Sequence, residues 1–457
     1  MTKPTKHLHF IAIGGSVMHQ LALALHHKGY TITGSDDDIF DPAHTQLAQY
    51  GLLPAAMGWF PDKITPETSA VILGMHAKAD NPELLKAQSL GIPIYSYPAY
   101  IYEQSRHKKR VVVSGSFGKT TITAMLLHVL RQQNIDFDYL VGARLQGFDT
   151  AVKLTDAPII VMEGDEYLAS PIHRMPKFFY YRPHIAILTG IDWDHINVFP
   201  TFDNYVSQFE QFVGQYIEKG GFLAYNEQDA AVAQIAQAAT HLRTQAYCPP
   251  AHINENGTYS VVVEGQQIPL QIFGQHNLAN AAAACLVCGE LGIDAPTFYQ
   301  ALSSFKGAAR RLELVCKTDH TTVYKDFAHA PAKVRATTQA VKQLNPQRQL
   351  IACFELHTYS SLNQAFLPQY RQTLAAADRA IVFFDAHTFA IKQMPLLAID
   401  QVRQAFDRDD LVVFNNNADL LAYLHTLSYQ NTNLLLMSSG NFGGLDLATV
   451  AQTLCGE

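Results

Sequence analysis

Residues 111–130, VVVSGSFGKTTITAMLLHVL, run from a β-branched stretch through a glycine turn into a helix-forming stretch. Val111, Val112 and Val113 read as a buried strand, Gly115 and Gly118 as the turn, and Lys119, Thr120 and Thr121 as the opening of the helix. Glycines let backbone N–H groups turn toward a bound group, and a helix N-terminus adds partial positive charge. The order strand, loop, helix is therefore suited to a phosphate. Lys119 is expected to reach the outer phosphates of ATP and Thr120 to ligate magnesium, with Gly115, Ser116, Gly118 and Thr121 completing the cradle. One departure stands out. The full GxxxxGK[ST] pattern would have glycine at position 113, where Val113 stands.

Two further strand ends follow this loop. PIIVMEGDEY, residues 158–167, carries Glu163, Asp165 and Glu166 past a buried strand, and carboxylates beside a phosphate loop suit magnesium. HIAILTGIDWDHINVF, residues 184–199, delivers Asp192, Asp194 and His195 after another. Upstream, IAIGGSVM at 11–18 forms a second glycine turn. It is not a dinucleotide fingerprint, because GxGxxG would need glycine where Ser16 and His19 stand. Gly14, Gly15, Ser16 and Met18 still suit one pyrophosphate at a helix N-terminus, with Ser35 and Asp36 near the end of the second strand to grip a ribose or base.

Composition narrows the field. The chain has 457 residues, 48% of them hydrophobic and 16% charged, with a net charge of -7. Length suggests roughly three domains, and the charge balance gives no nucleic-acid footprint. No apolar run reaches the ~20 residues of a membrane-spanning helix. The opening MTKPTKHLHFIAIGG reads as a first strand and turn, not as an export signal, because Gly14, Gly15 and Ser16 interrupt its apolar run. A cytoplasmic protein is expected. Six cysteines, sparse and mostly in apolar segments, are expected to be reduced thiols, with the CxxC of Cys285 and Cys288 on a buried helix face. Strand-helix alternation recurs in three segments, 1–107, 108–312 and 313–457, which predicts α/β units with parallel sheets.

Taken in order, these motifs resemble the Mur ligase family: IGGSVM, GSFGKTT, EGDEY and DWDH, then His276, Asn277 and Asn280 as HNxxN. Arg310, Arg311 and Glu313 match its arginine motif, and Asp326, Phe327, Ala328, His329 and Pro331 its DFAHxP. The likeness implies a Rossmann-like UDP-binding domain, a central P-loop ATPase-like domain and a C-terminal Rossmann-like domain. It also implies an ATP-dependent amide ligase acting on UDP-N-acetylmuramate through an acyl phosphate, with Mg2+ as cofactor. In that scheme Thr120, Glu163 and His195 hold metal, and Asn277, Asn280, Arg311 and Asp326 join the phosphate loop at ATP. Lys119, Glu163, His195, Arg311 and His329 form the catalytic set, and His357, Thr358 and Tyr359 of ELHTYSSL meet the amine substrate. EGDEY, DWDHINVF and SSGNFGG resemble the branch that attaches L-alanyl-gamma-D-glutamyl-meso-diaminopimelate in murein recycling. A sister branch attaches free L-alanine in peptidoglycan biosynthesis. Outside this chemistry, a folylpolyglutamate-type ligase and a non-catalytic UDP-sugar or nucleotide sensor fit parts of the pattern, and the intact Lys119, Glu163 and His195 disfavour the sensor.

Overall fold

A computed structural model describes residues 6–142, 145, 147–255, 258–308 and 312–456. The chain packs as two compact units, one of residues 1–115, 122–189 and 207–246, the other of 116–121, 190–206 and 247–457.

The first unit carries two sheets. Strands β1 (His7–Ile11), β2 (Thr31–Ser35), β3 (Thr68–Leu73) and β4 (Ile94–Ser96) form a parallel sheet in the order β2-β1-β3-β4. Next come β5 (Lys109–Ser114), β6 (Phe137–Leu140), β7 (Val152–Lys153), β8 (Ile159–Gly164), β9 (Ile185–Leu188), β10 (Phe222–Asn226) and β11 (Arg243–Tyr247). They assemble in the order β11-β10-β9-β5-β8-β6-β7. β5 is paired in parallel on both sides, with β8 and β9, and its valines are wholly buried. That explains Val113: the position where a longer loop would place glycine is the interior of a central strand, and the turn is shortened to residues 115–118.

The basic stretch at 106–110 reads as a joint, yet two of its cations are buried. Arg110 is 2% exposed. Its guanidinium donates to the carbonyls of Ser105 (3.2 Å) and Arg106 (3.1 Å), at the end of the helix Tyr97–Ser105, and to those of Tyr181 (3.1 Å) and Arg182 (2.9 Å). It also pairs with Glu218 at 2.8 Å. Lys108 pairs with the buried Asp138 at 2.8 Å. Each is tolerated inside because hydrogen bonds and a carboxylate replace its lost water.

In the second unit, β12 (His252–Glu255), β13 (Thr258–Val263) and β14 (Gln266–Leu270) form a small antiparallel sheet. The larger sheet uses β15 (Glu313–Lys317), β16 (Thr321–Asp326), β17 (Gln349–Leu356), β18 (Arg379–Phe384), β19 (Val412–Phe414) and β20 (Thr432–Met437) in the order β15-β16-β20-β17-β18-β19. All but β15 run parallel. β20 lies between β16 and β17, so Asp326 and Phe354 both face Met437. The loops that leave these three strands therefore start side by side at the carboxyl edge, where open α/β sheets form ligand crevices.

The reading of six reduced thiols is corrected in one pair. Cys316 of β15 and Cys455 of the terminal helix Leu447–Gly456 form a disulfide across 139 residues, with Cα atoms 6.7 Å apart. The terminal helix packs on the edge strand, a proximity that spacing along the chain does not reveal. Cys285 and Cys288 are free thiols on the helix Gln275–Glu290. Cys288 is buried and Cys285 half-buried, and burial pushes Cys285 up to about 12 and Cys288 higher still, which suits packed rather than reactive thiols.

Candidate active site

The phosphate loop is built as its residues dictate. Gly115 and Gly118 take φ values of 119° and 77°, conformations that side chains oppose, and the helix Lys119–Gln132 starts directly after. Lys119, Thr120 and Thr121 form the first turn of that helix, where N–H groups have no intrahelical partner. Ser116 turns inward. Its N–H donates to Gly190 O (2.9 Å), and its hydroxyl meets Tyr205 OH (2.9 Å) and the N–H of Asp192 (2.9 Å). Phe117 lies against Gly190: a Cβ built there would fall 2.1 Å from the ring's Cζ.

Within the other unit, register sets Glu163 of β8 beside Val113 of β5. A Cβ on Gly142 would lie 3.0 Å from Glu163 Oε2, so glycine keeps room for that carboxylate. Gly164 is likewise demanded by packing, since a Cβ there would come 2.7 Å from Val112 Cγ1. Asp165 is held by Lys177, which donates to it at 2.5 Å. A carboxylate such as that of Glu163 is a hard oxygen donor of the kind magnesium takes.

The DWDH segment is a hub. Asp192 accepts from Ala332 N (3.1 Å), at the start of the helix Pro331–Leu344. Burial raises its pKa against the pull of that N–H and of Lys333. Asp194 accepts from His195 N (2.7 Å) and from Ser360 Oγ (3.1 Å), and its Oδ2 stands 3.8 Å from His329 Nε2. Burial would raise the pKa of Asp194, but His195, His329 and Lys333 outweigh it and hold the group well below the carboxylate range. His195 itself has φ of 54°, a strained value for a residue with a side chain.

His329 Nδ1 meets Phe327 O at 2.9 Å, and Tyr370 OH donates to the carbonyl of His329. Asp326 spends its carboxylate on backbone, accepting from Leu312 N (2.5 Å) and Ala328 N (2.7 Å). It thereby fixes the residue that follows Arg311. Arg310 and Arg311 lie outside the described residues. Asn277 Nδ2 donates to Phe273 O (2.9 Å), and Asn280 Nδ2 approaches Asn277 Oδ1 at 3.5 Å. Burial draws their neighbour His276 down to about 4.

In the turn after β1, Ala12 N and Ile13 N both donate to Ser35 O (2.9 and 3.2 Å), and Gly14 N donates to Asp36 Oδ2 (2.7 Å). The helix Ser16–His27 has Gly15 at its N-cap and no side-chain cap hydrogen bond, the kind of N-terminus that suits an anion. Met18 is buried, and the hydroxyl of Ser35 takes Lys63 at 3.0 Å, so both support the turn from behind. Burial lifts Asp36 to about 6, against the lowering effect of Gly14 N–H.

The loop after β17 is a tight turn. Thr358 Oγ1 accepts from Ser361 N (3.1 Å), Thr358 O accepts from Leu362 N (3.0 Å), and Tyr359 is 49% exposed. Ser360, inside the segment ELHTYSSL but not among the three residues named from it, joins this loop to Asp194. Glu355 of the same segment and Gly440 of SSGNFGG also border it, together with Lys392, which lies in no segment that the sequence reading marked.

A strand, a glycine turn and an uncapped helix start in this order suit the phosphates of a nucleotide, as in a nucleotide-dependent enzyme. Models of the Mur ligase family match at its catalytic domain (residues 7–109), its middle domain (113–288) and its glutamate ligase domain (310–440). The chain belongs to the Mur ligase family and is an ATP-dependent ligase. It is 31% identical over 388 residues to the UDP-N-acetylmuramate--L-alanine ligase of Caldicellulosiruptor bescii, covering 82% of each chain. Among solved structures it resembles a murein peptide ligase from Psychrobacter arcticus, with 23% identity, 99% of each chain covered and a TM-score of 0.66. It also resembles the UDP-N-acetylmuramate:L-alanyl-gamma-D-glutamyl-meso-diaminopimelate ligase from Neisseria meningitides, with 25% identity, 66% of this chain and 98% of that chain covered, and a TM-score of 0.60.

Proposed function

We propose that this ligase joins the lactyl carboxylate of UDP-N-acetylmuramate to the amine of L-alanine, by way of an acyl phosphate and in the cytoplasm. One observation carries the reading: Asp192 and Asp194 bind the phosphate loop through Ser116, the helix after the DFAH turn through Ala332, and the candidate amine loop through Ser360. The segments proposed for nucleotide and acceptor thus hydrogen-bond to one short stretch. Curated relatives named as L-alanine ligases support free alanine as acceptor, ahead of the tripeptide that the sequence motifs favour.

The lactyl carboxylate attacks the γ-phosphate of ATP, ADP leaves, and the amine then displaces phosphate from the acyl carbon. Two anions must meet, so charge neutralisation and alignment carry the rate. Lys119 would neutralise the outer phosphates, with Arg311 and His329 as further partners of the nucleotide and Asn277, Asn280 and Asp326 beside its adenosine end. Thr120, Glu163 and His195 would hold magnesium, which supplies positive charge to the transferring phosphoryl group. Gly14, Gly15, Ser16 and Asp36 would take the UDP moiety, and the segment around His357, Thr358 and Tyr359 the amine.

A second reading keeps the tripeptide as acceptor. The segments EGDEY and SSGNFGG and the likeness to the Neisseria meningitides enzyme favour it. Both acceptors offer an alanyl amine to the same acyl phosphate, so a competition assay separates them. With UDP-N-acetylmuramate, Mg-ATP and equimolar L-alanine and tripeptide, the expected major product by mass is the single-alanine adduct. A predominant tripeptide adduct overturns the first reading in favour of the second, and no adduct with either overturns both.

A further inference from the structure

The chemistry above needs a free amine, whereas an amino acid or peptide arrives as an ammonium ion. Its proton must go somewhere before the nitrogen can attack. The carboxyl edge of the six-stranded sheet holds a group suited to receive it. Glu355, the penultimate residue of β17, is 1% exposed, and its Oε2 accepts from Phe442 N (2.9 Å) and from the Ser438 hydroxyl. Pinned in this way, it presents Oε1 3.7 Å from Nδ1 of His357. That nitrogen is buried and has no hydrogen-bond partner, while the side chain as a whole is 31% exposed. The ring is therefore backed by a fixed carboxylate and open to incoming molecules, the arrangement of a base with an orienting group behind it.

Two neighbours keep the ring in place. Lys392 Nζ donates to His357 O (2.8 Å) and lies 4.6 Å from the Tyr359 ring centroid, which fixes the backbone of the loop. At Gly440, in the loop after β20, a Cβ would lie 2.5 Å from His357 Nδ1 and 2.9 Å from Glu355 Oε2, so only glycine leaves the pair its room. Ser360, three residues on, carries the same loop to Asp194 and so to His195.

We propose that His357 takes the proton from the acceptor's ammonium, with Glu355 as its positioning residue. The inference rests on the ligase reading above. The ammonium gives one proton to the neutral imidazole, and the freed nitrogen lone pair forms a bond to the acyl carbon. The tetrahedral intermediate then collapses, and the electron pair of the carbon–oxygen bond leaves with phosphate, which takes the second nitrogen-bound proton. The charged groups that meet His357 are Glu355 from β17, beside its ring, and Lys392 from the end of the helix Ala386–Ile391, at its carbonyl.

Hydroxylamine, neutral at assay pH, needs no base and traps the acyl phosphate as a hydroxamate. His357→Gln in the full chain is expected to lower kcat with L-alanine about 100-fold or more, the usual worth of a positioned base, while hydroxamate formation stays within about twofold of wild type. Glu355→Gln is expected to shift the acid limb of the pH profile of kcat/KM for L-alanine and to leave the hydroxamate rate unchanged. Unchanged alanine kinetics in His357→Gln, or equal losses with both nucleophiles, would overturn the proposal. A wild-type pH limb in Glu355→Gln would remove the pair. Absence of hydroxamate with wild-type enzyme and UDP-N-acetylmuramate would instead sink the ligase reading itself.

Discussion

Single atoms decide several features of the site. Gly190 has no room for even one methyl group, because Phe117 occupies that space. Gly190→Ala is expected to displace the ring and the loop carrying it, and overpacking by one carbon costs about 1–3 kcal/mol. The predicted outcome is a KM for ATP raised by about tenfold with a small change in melting temperature, and an unchanged KM would separate Phe117 from nucleotide binding. Asp36 gives a pH signature. Burial raises its pKa to about 6, above the ordinary 3.8, so the folded state holds a proton that the unfolded chain releases. Its contribution to stability is full below about pH 4 and is lost as pH rises through about 6. Asp36→Asn should flatten this part of the stability–pH curve in urea melts at pH 4–7. It should also lower stability throughout, since one of the donors Gly14 N and Asp37 N loses its acceptor.

At the scale of elements, pairing and capping explain what motif spacing left open. The register of β5 with β8 brings Glu163 level with the strand that feeds the phosphate loop, a relation that some forty residues of intervening chain conceal. Arg110 closes the end of the helix Tyr97–Ser105 by donating to its last carbonyls, so a stretch that reads as a charged linker is a buried clasp. Removing the guanidinium leaves several buried carbonyls without donors. Arg110→Met is expected to cost on the order of 3–5 kcal/mol, as when one partner of a buried charged network is deleted. Equilibrium denaturation measures it, and a loss below about 1 kcal/mol, the worth of an exposed pair, would show that water reaches those carbonyls.

For the molecule as a whole, the glycine turns proposed for UDP and for ATP follow strands of different sheets, β1 and β5. Lys119→Ala is therefore expected to abolish ligation while UDP-N-acetylmuramate binding by calorimetry stays within roughly twofold, since a lost electrostatic contact of about 2–4 kcal/mol falls on the phosphoryl step. Loss of both ligands by a folded variant would refute separate sites. No helix of the described residues is long and apolar enough to cross a membrane. The sequence alone determined the α/β class and the run of strand, glycine turn and helix start at residues 109–132. Those features are local: strand periodicity, glycine turns and helix starts are written in neighbouring residues. Tertiary structure alone decided that Ser360 meets Asp194, that Glu355 backs His357, that Asp326 holds the chain after Arg311, and that Cys316 meets Cys455. Each joins residues brought together by the insertion of β20 between β16 and β17 or by packing of separate segments, and contacts of that kind leave no period or spacing in the chain to read.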